Sequence, residues 1–488
     1  MKTVDLITSP VFTTSAGTCT LPGLLARLSQ GDELDYLALQ AHQAHLWHAF
    51  VVQLACVALL DADVSDPPKD ESTWATLLLD LHEDPSTWWM EQEDPSRPAF
   101  LQPPAPDGLA AFKNTATSPD LLGLLATAKN HDVKRERIRE ASVEHWIYAL
   151  VSLQTGAGFM GRGNYGVYRM NGGFASRPVI GFYPSEAWPM RFRTDVQRIT
   201  SHLAHAEPEL GSLDGTALLW TVPWSGKEQV SVEALHPLCV EVARRVRVIE
   251  GGFRVGASSK ERTNGKVLNG NVHDPWIPVL DDKKGPKALN VSARGFDYKT
   301  VAKLITNGMH LEPYMVPKVG EPRLLICEVL AGEQGQTAGF HRRTVRVPAK
   351  VPLLCFRSED ASDLVLERTA EFIDLADRAR RNVLLPALLA LYGEDPKQDG
   401  AHRDFIGDFT REVDAQFFEA LFAVRGEVID QADYNPWKQQ LASIAKSVLD
   451  AAIDSAPTRA SRSWLVRGNV LSLFHSLKKN HLSVETPA

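Results

Sequence analysis

The hydrophobic pattern of the chain changes near residue 360, and this change constrains the fold more than any other feature. Beyond this point apolar residues recur at spacings of three and four, as at Phe372, Ala376 and Ala379. Such spacing places them on one face of an α-helix. The predicted helices are 364–393, 410–424, 436–453 and 460–479. Amphipathic helices joined by short connections pack into a bundle, so we expect a C-terminal four-helix bundle over residues 361–488.

The first 360 residues mix strand and helix patterns without a regular βαβ alternation, which favours the α+β class. A long helix is predicted from Leu34 to Leu60, with Asp32 as its N-cap. Residues 1–30 read as short strand-like runs with a turn at Pro22-Gly23. Because 488 residues exceed one ordinary core, we predict a large mixed N-terminal domain over residues 1–360, followed by the bundle.

Composition excludes several classes of protein. The net charge of −8 argues against wrapping nucleic acid over the whole surface, because affinity for phosphate comes from clustered Lys and Arg. The five cysteines are far apart and form no CxxC pair, so neither a zinc site nor a disulfide framework is predicted. The first residues lack the pattern of a signal peptide, and no run of roughly 18 apolar residues is recognised, which predicts a cytoplasmic protein.

Catalytic and metal-binding motifs are not found in the sequence. His42, His45 and His48 follow one another at spacings of three on the predicted helix, but HExxH is missing and the third imidazole is rotated away from the first. We interpret them as core or surface histidines. Neither GxSxG nor GxxxxGK[ST] occurs, so the chain is not predicted to be an enzyme.

The most unusual composition lies between Gly156 and Ile180, where seven glycines occur. So many glycines predict positive-φ positions or close approach of the backbone to another molecule. Three interpretations stay open: a purely structural turn, a cofactor site of an enzyme, or a loop that lays its backbone against nucleic acid. In the last case Arg162, Arg169 and Arg177 would reach phosphates or base edges.

The cofactor interpretation depends on a formal GxGxxG match over Gly161–Gly166. A dinucleotide site needs a strand before this motif and a helix after it. Here the predicted helix HWIYALVSLQ precedes the motif, and a Gly-Gly pair soon follows it. The required context is therefore missing.

Two further polar segments have an ordinary interpretation and a functional one. Residues 332–343 have the composition of a hairpin loop with a basic flank. The end of the chain is basic, with Arg459, Arg462, Arg467, Lys478 and Lys479. Such a stretch is usually a solvated helix face, and its alternative is a surface that follows a phosphate backbone.

Several motifs, taken in their order along the chain, resemble the CasA large subunit of type I-E CRISPR Cascade complexes. They are PAFLQ, LLATAKNHD, NGGFASRP, NGNVHDPWIP and LAGEQGQTAGFHRR, followed by the helical C-terminal region. No single motif is diagnostic, and their collinearity over most of the chain carries the resemblance. Some relatives have a zinc-binding cysteine cluster in the middle region, which this chain lacks.

The resemblance implies a subunit without catalytic activity and without cofactor or metal. Its expected functions are recognition of the protospacer-adjacent motif (PAM) on double-stranded target DNA, promotion of duplex opening and R-loop formation, and docking of the helicase-nuclease. The expected partners are the guide RNA, the target DNA, the helicase-nuclease, and the backbone, small and 5′-handle-binding subunits. A scaffold that does not contact DNA is the remaining alternative.

The resemblance also assigns candidate site residues. The PAM-facing glycine loop falls on Gly158, Gly161, Arg162 and Gly163. A hairpin that starts strand separation falls on Gly335, Gln336 and Thr337, with Gln336 as the wedge. A basic PAM contact is one of Lys260, Arg262 and Lys266, with Arg262 and Lys266 preferred. Contacts to the guide RNA 5′ handle and a neighbouring subunit fall on Lys129, Asn130 and His131.

Overall fold

The computed structural model divides the chain into two compact units. Unit 1 comprises Met1–Phe296 and Gly308–Arg346, and unit 2 comprises Asp297–Asn307 and Val347–Ala488. The described residues are 4–122, 138, 140–172, 176–306, 308–318, 320–321, 323–333, 336–349, 363–393, 400–424, 430–456 and 460–484. The predicted domain limit near residue 360 lies outside them and stays a prediction.

Unit 1 combines helices with several small sheets. Its helices are α1 (Leu21–Gln30), α2 (Ala44–Asp61), α3 (Glu71–Asp80), α4 (Pro119–Leu122), α5 (Val143–Gly156) and α6 (Trp188–Leu203). Its strands are β1 (Phe12–Thr14), β2 (Gly17–Cys19), β3 (Asn114–Ala116), β4 (Val179–Tyr183), β5 (Thr216–Leu218), β6 (Leu235–Val240), β7 (Arg245–Ile249), β8 (Gly252–Gly256), β9 (Val279–Asp282), β10 (Gly285–Ala288), β11 (Leu324–Glu333) and β12 (Gln336–Arg346).

The strands pair mainly with an antiparallel neighbour. The two three-stranded sheets have the orders β12-β11-β4 and β3-β8-β7, and both are antiparallel. Strands β1 and β2, and likewise β9 and β10, form antiparallel pairs, whereas β5 and β6 are parallel. Separate antiparallel sheets packed with helices are typical of the α+β class, which confirms the predicted fold class.

Helix α1 replaces the turn predicted at Pro22-Gly23. The hydroxyl of Thr20 accepts a hydrogen bond from the Gly23 N–H at 3.0 Å and caps the helix. Proline is tolerated in the first turn of a helix, because the N–H groups of that turn have no carbonyl partner within the helix. The helix ends at Gly31, whose φ of +91° is left-handed. The prediction of a turn was therefore wrong.

Helix α2 begins at Ala44 rather than at Leu34, so Asp32 is not its N-cap. By length and composition α2 could cross a membrane, with a mean hydropathy of 1.4, which corrects the expectation that no such stretch occurs. However, 83% of the helix window is buried inside the protein. A helix that is apolar on all sides and enclosed by other elements belongs to a core.

The core of unit 1 is built around α2. The Trp47 ring lies 4.8 Å from that of Tyr148 on α5 and 5.5 Å from that of Phe12 on β1. Phe50 contacts Phe100, with 5.8 Å between the ring centroids. Buried aromatic pairs of this kind stabilise the fold by more than the burial of their surface alone. Helix α2 therefore fixes the positions of the elements around it.

Unit 2 is helical within the described residues. Its helices are α7 (Tyr298–Ile305), α8 (Asp363–Arg378), α9 (Leu385–Tyr392), α10 (His402–Ala423), α11 (Asn435–Ser455) and α12 (Ala460–His481). A π-helical segment, Ala379–Leu384, joins α8 to α9. The predicted helix 364–393 corresponds to this composite helix, and the second predicted helix begins at His402 rather than at residue 410. The predicted helical C-terminal region is confirmed.

An aromatic cluster holds unit 2 together. The Trp437 indole on α11 stacks on Phe372 of α8 at 5.4 Å and donates a hydrogen bond to the Phe372 carbonyl at 3.1 Å. Phe417 of α10 lies edge-on to Trp437 at 6.0 Å. Tyr298 lies 4.7 Å from Phe417, so α7 packs onto the same cluster.

We expect Trp437→Ala to lower the free energy of unfolding of unit 2 by about 3–5 kcal/mol, because it removes a buried indole that contacts several helices. Leu465→Ala on α12 is the matched control, since Leu465 is 70% exposed and its loss should change stability by less than about 0.5 kcal/mol. Urea unfolding followed by circular dichroism measures both. Equal effects of the two substitutions would contradict the central role of Trp437.

Candidate functional site

The glycine-rich segment forms a tightly folded loop directly after α5. The Val167 N–H donates to the Ala157 carbonyl at 3.0 Å, and the Met160 N–H donates to the Asn164 carbonyl at 2.9 Å. Gly166 packs against this backbone so closely that a Cβ there would lie 2.9 Å from a Gly158 backbone atom. A side chain at this position would force the loop apart, so glycine is required.

The surroundings of this loop do not match a dinucleotide site. Helix α5 precedes it, and the described residues 157–172 contain no helix that could bind phosphates at its N-terminus. A GxGxxG site needs a strand, a loop and a helix in that order. The geometry therefore does not support the cofactor-binding alternative.

Two residues outside the glycine loop, Arg244 and Ser258, hold it in place by hydrogen bonds. The buried Arg244 guanidinium donates to the carbonyls of Gly158, at 2.7 Å, and Tyr165. Burial lowers the pKa of Arg244 to about 10. The Ser258 N–H donates to the Gly163 carbonyl at 3.0 Å. Gly163, with φ of +90°, is buried against Ala257, whereas Gly158 and Gly161 are half-buried.

The three arginines of the glycine-rich segment have different roles. Arg162 is exposed. Arg169 pairs with Glu241 at 2.9 Å and with Asp274 at 3.0 Å, and Arg177 pairs with Asp274 at 3.2 Å. The ion pairs of both residues are buried. The expectation that all three arginines reach nucleic acid is therefore wrong for Arg169 and Arg177.

The three basic candidates after β8 also differ in exposure. Arg262 is buried, donates to the Val222 carbonyl at 2.9 Å and lies over the Trp224 ring at 5.2 Å. Burial lowers the pKa of Arg262 to about 10. Lys260 and Lys266 are exposed. Arg262 thus anchors the segment, and the two lysines face solvent.

The glycine loop and the segment after β8 enclose one cavity of about 240 Å³. Gly158 and Gly166 line it from the loop, and Glu261, Thr263 and Lys266 line it from the other segment. The structure therefore brings together Gly158 and Lys266, two candidates from distant parts of the sequence. The position of Glu261 beside these two residues was not predicted. In the sequence Glu261 is only the neighbour of Arg262, and nothing there indicates that it lines a cavity.

The hairpin of β11 and β12 extends past its neighbouring strand. Strand β4 pairs with β11 only over Leu324–Glu328, whereas β11 and β12 stay paired up to Glu333 and Gln336. The register shifts between Ala331 and Gly332, a β-bulge that increases twist. Thr337 pairs with Gly332 and is half-buried. Gly335 and the side chain of Gln336 lie outside the described residues.

Buried charges hold the base of this hairpin. The Glu328 carboxylate on β11 lies 2.6 Å from the Arg191 guanidinium of α6 and 3.1 Å from that of Arg342 on β12. Burial alone would raise the pKa of Glu328, but the charge and hydrogen bond of Arg191 hold it below its usual value. Arg342 also contacts the exposed Glu186 at 2.8 Å.

The described histidine candidates, His42, His45 and His48, do not line the cavity. Lys129, Asn130 and His131 lie outside the described residues. His45 and His48 are buried in the core, and the His48 Nε2 lies 2.8 Å from the Asp195 carboxylate, which confirms that these two are core histidines. No group of three or more metal-binding side chains occurs among the residues that the structure describes.

Comparison with solved structures identifies the fold. Thermobifida fusca Cse1 superposes with a TM-score of 0.66 at 14% identity, covering 99% of each chain. Cse1 from Acidimicrobium ferrooxidans gives 0.63 at 10% identity with 100% of both chains covered. CasA from Thermus thermophilus gives 0.61 at 14% identity, covering 98% of this chain and 100% of that one. No protein-family model and no curated sequence matches. The chain has the fold of these CasA and Cse1 structures.

We expect Glu328→Gln to lower the free energy of unfolding by about 3 kcal/mol near pH 7, because it leaves Arg191 buried without its counter-charge. Since the pKa of Glu328 is lower in the folded state, its contribution is present above the unfolded value and is lost as the pH falls through the folded one. Between pH 7 and pH 3 the free energy of unfolding should therefore fall less in the variant than in the wild type.

Glu186→Gln is the matched control for this substitution. Glu186 contacts the same Arg342 but its side chain is 50% exposed, so the pair contributes little. If Glu186→Gln destabilises as much as Glu328→Gln, the buried pair does not anchor the hairpin.

Proposed function

We propose that the chain is the large subunit of a type I-E CRISPR Cascade complex and reads the PAM on double-stranded target DNA. The observation that carries this proposal is the shared cavity of Gly158 and Lys266. The sequence resemblance assigned both segments to PAM contact independently of any geometry. The CasA/Cse1 fold over nearly the whole chain supports the same role.

The cavity suits the minor groove of a short duplex motif. Gly158 and Gly161 are half-buried, and because they have no side chain they permit close approach of a duplex, while the Lys266 ammonium can donate to base-edge acceptors. Base edges in the minor groove form a degenerate code, so such a site reads permissively. Sequence specificity then comes from guide pairing, and the protein needs only a short motif.

The hairpin is the second element of the proposed function and would start duplex opening. Its base is fixed by Glu328, and its tip continues beyond the end of β4. A wedge must resist the force of restacking, so a rigid base is required of it. In this role Gln336 separates the first base pair, the R-loop then extends, and the helicase-nuclease docks on the complex. The proposal places these events in the cytoplasm and assigns no catalytic step to this chain.

Guide-matched duplexes with a permissive or a scrambled flank test this function. The complex assembled with this chain should bind the permissive duplex more tightly, and the complex without it should not distinguish the two. Lys266→Ala should reduce the flank-dependent affinity on the order of tenfold, because it removes a base-edge donor. Lys227→Ala, at another exposed lysine, should leave the ratio of the affinities for the permissive and the scrambled duplex unchanged. Binding that never depends on the flank would refute the proposal.

Gln336→Ala should slow strand opening without weakening guide RNA binding. Fluorescence of 2-aminopurine placed next to the flank reports unstacking directly. A duplex that is already mismatched at the first positions serves as the matched substrate, since it needs no wedge, and the variant should bind it as the wild type does. Unchanged opening of the fully paired duplex would exclude Gln336 as the wedge.

A further inference from the structure

The cavity contains an acidic side chain that the proposed function does not use. The Glu261 carboxylate lies 3.4 Å from the Lys266 ammonium, and its side chain is 24% exposed, against 69% for Lys266. Phosphate groups repel a carboxylate, and a carboxylate that loses water without gaining a donor weakens binding. An acid at this place therefore needs a hydrogen-bond donor from the bound molecule.

The backbone on both sides of Glu261 is fixed. The Ser259 N–H donates to the Gly226 carbonyl at 2.7 Å, and the Val230 N–H donates to the Arg262 carbonyl at 2.9 Å. The buried Arg262 side chain anchors the same segment over Trp224. The backbone that carries Glu261 is thus held at the cavity, and preorganised groups discriminate between ligands better than mobile ones.

The chemistry of the minor groove provides one suitable donor. An A·T pair presents only the acceptors adenine N3 and thymine O2, whereas a G·C pair adds the N2 amino group of guanine. The Lys266 ammonium can donate to the acceptors of any pair. The Glu261 carboxylate can accept only from the guanine amino group. Together the two side chains are complementary to a G·C pair.

We propose that Glu261 determines specificity in the flanking motif by accepting a hydrogen bond from a guanine N2 amino group, which favours a G·C pair over an A·T pair. This inference rests on the proposed function, because it requires that the cavity faces the minor groove. At an A·T pair the carboxylate faces acceptors and gains no donor from the bases, which makes that pair less favourable than a G·C pair.

Base analogues that change only the minor-groove amino group test the proposal. Inosine lacks the amino group of guanine, and 2,6-diaminopurine adds it to adenine. The assembled complex is titrated with guide-matched duplexes carrying G·C, I·C, A·T or diaminopurine·T at each flank position. The wild type should bind the two amino-bearing pairs on the order of tenfold more tightly at one position. Glu261→Ala should abolish this ratio, and Glu261→Gln should retain part of it, because the amide oxygen still accepts.

Glu207→Ala is the control, as it makes the same change at an exposed glutamate outside the cavity. Its affinity ratios should equal those of the wild type. An unchanged amino-group preference in Glu261→Ala, or flank-dependent binding that ignores the amino group, overturns this inference and leaves the proposed function standing. Flank-independent binding by the wild type overturns both.

Discussion

The ion pairs of Asp274 are the constraint on which the glycine-rich region depends. One buried carboxylate contacts the guanidinium groups of Arg169 and Arg177, and Glu241 neutralises Arg169 further. Burial alone would lower the pKa of Arg169, but the surrounding groups raise it well above its ordinary value. Leaving a buried charge without its partner typically costs about 3–5 kcal/mol. The segment is therefore tied to the turn at residues 269–278, while Arg162 in its glycine loop stays exposed.

The fold could be predicted where local pattern and tertiary packing agree. The composite helix α8–α9 matches the prediction of 364–393 because its apolar residues follow the helical period and face one core. Helix α1 was missed because Pro22-Gly23 indicates a turn unless the capping role of Thr20 is recognised. The start of α2 was placed too early, since polarity alone does not show where an apolar helix begins.

The candidate site was predictable only in part, because its electrostatics depend on contacts between distant segments. The sequence shows that Arg162, Arg169 and Arg177 share a glycine-rich stretch, but the carboxylates that neutralise two of them lie far along the chain. Arg262 and Lys266 are equally basic in sequence, and only the packing over Trp224 separates an anchor from an exposed group. Glycines are easier to interpret, because the crowding at Gly166 follows from its own loop.

Under the proposed function, the net charge of −8 suits a chain that reads base edges better than one that holds the DNA backbone. Contacts to phosphate supply most of the affinity, whereas contacts to base edges supply specificity. At the cavity Lys266 and Glu261 compensate each other, so the pair adds little attraction for a duplex of arbitrary sequence. A partly solvated pair of this kind is worth about 0–1 kcal/mol, so exchanging it for base-edge contacts requires little energy. In the proposed complex the other subunits and the guide therefore hold the DNA, and this cavity selects among duplexes already held.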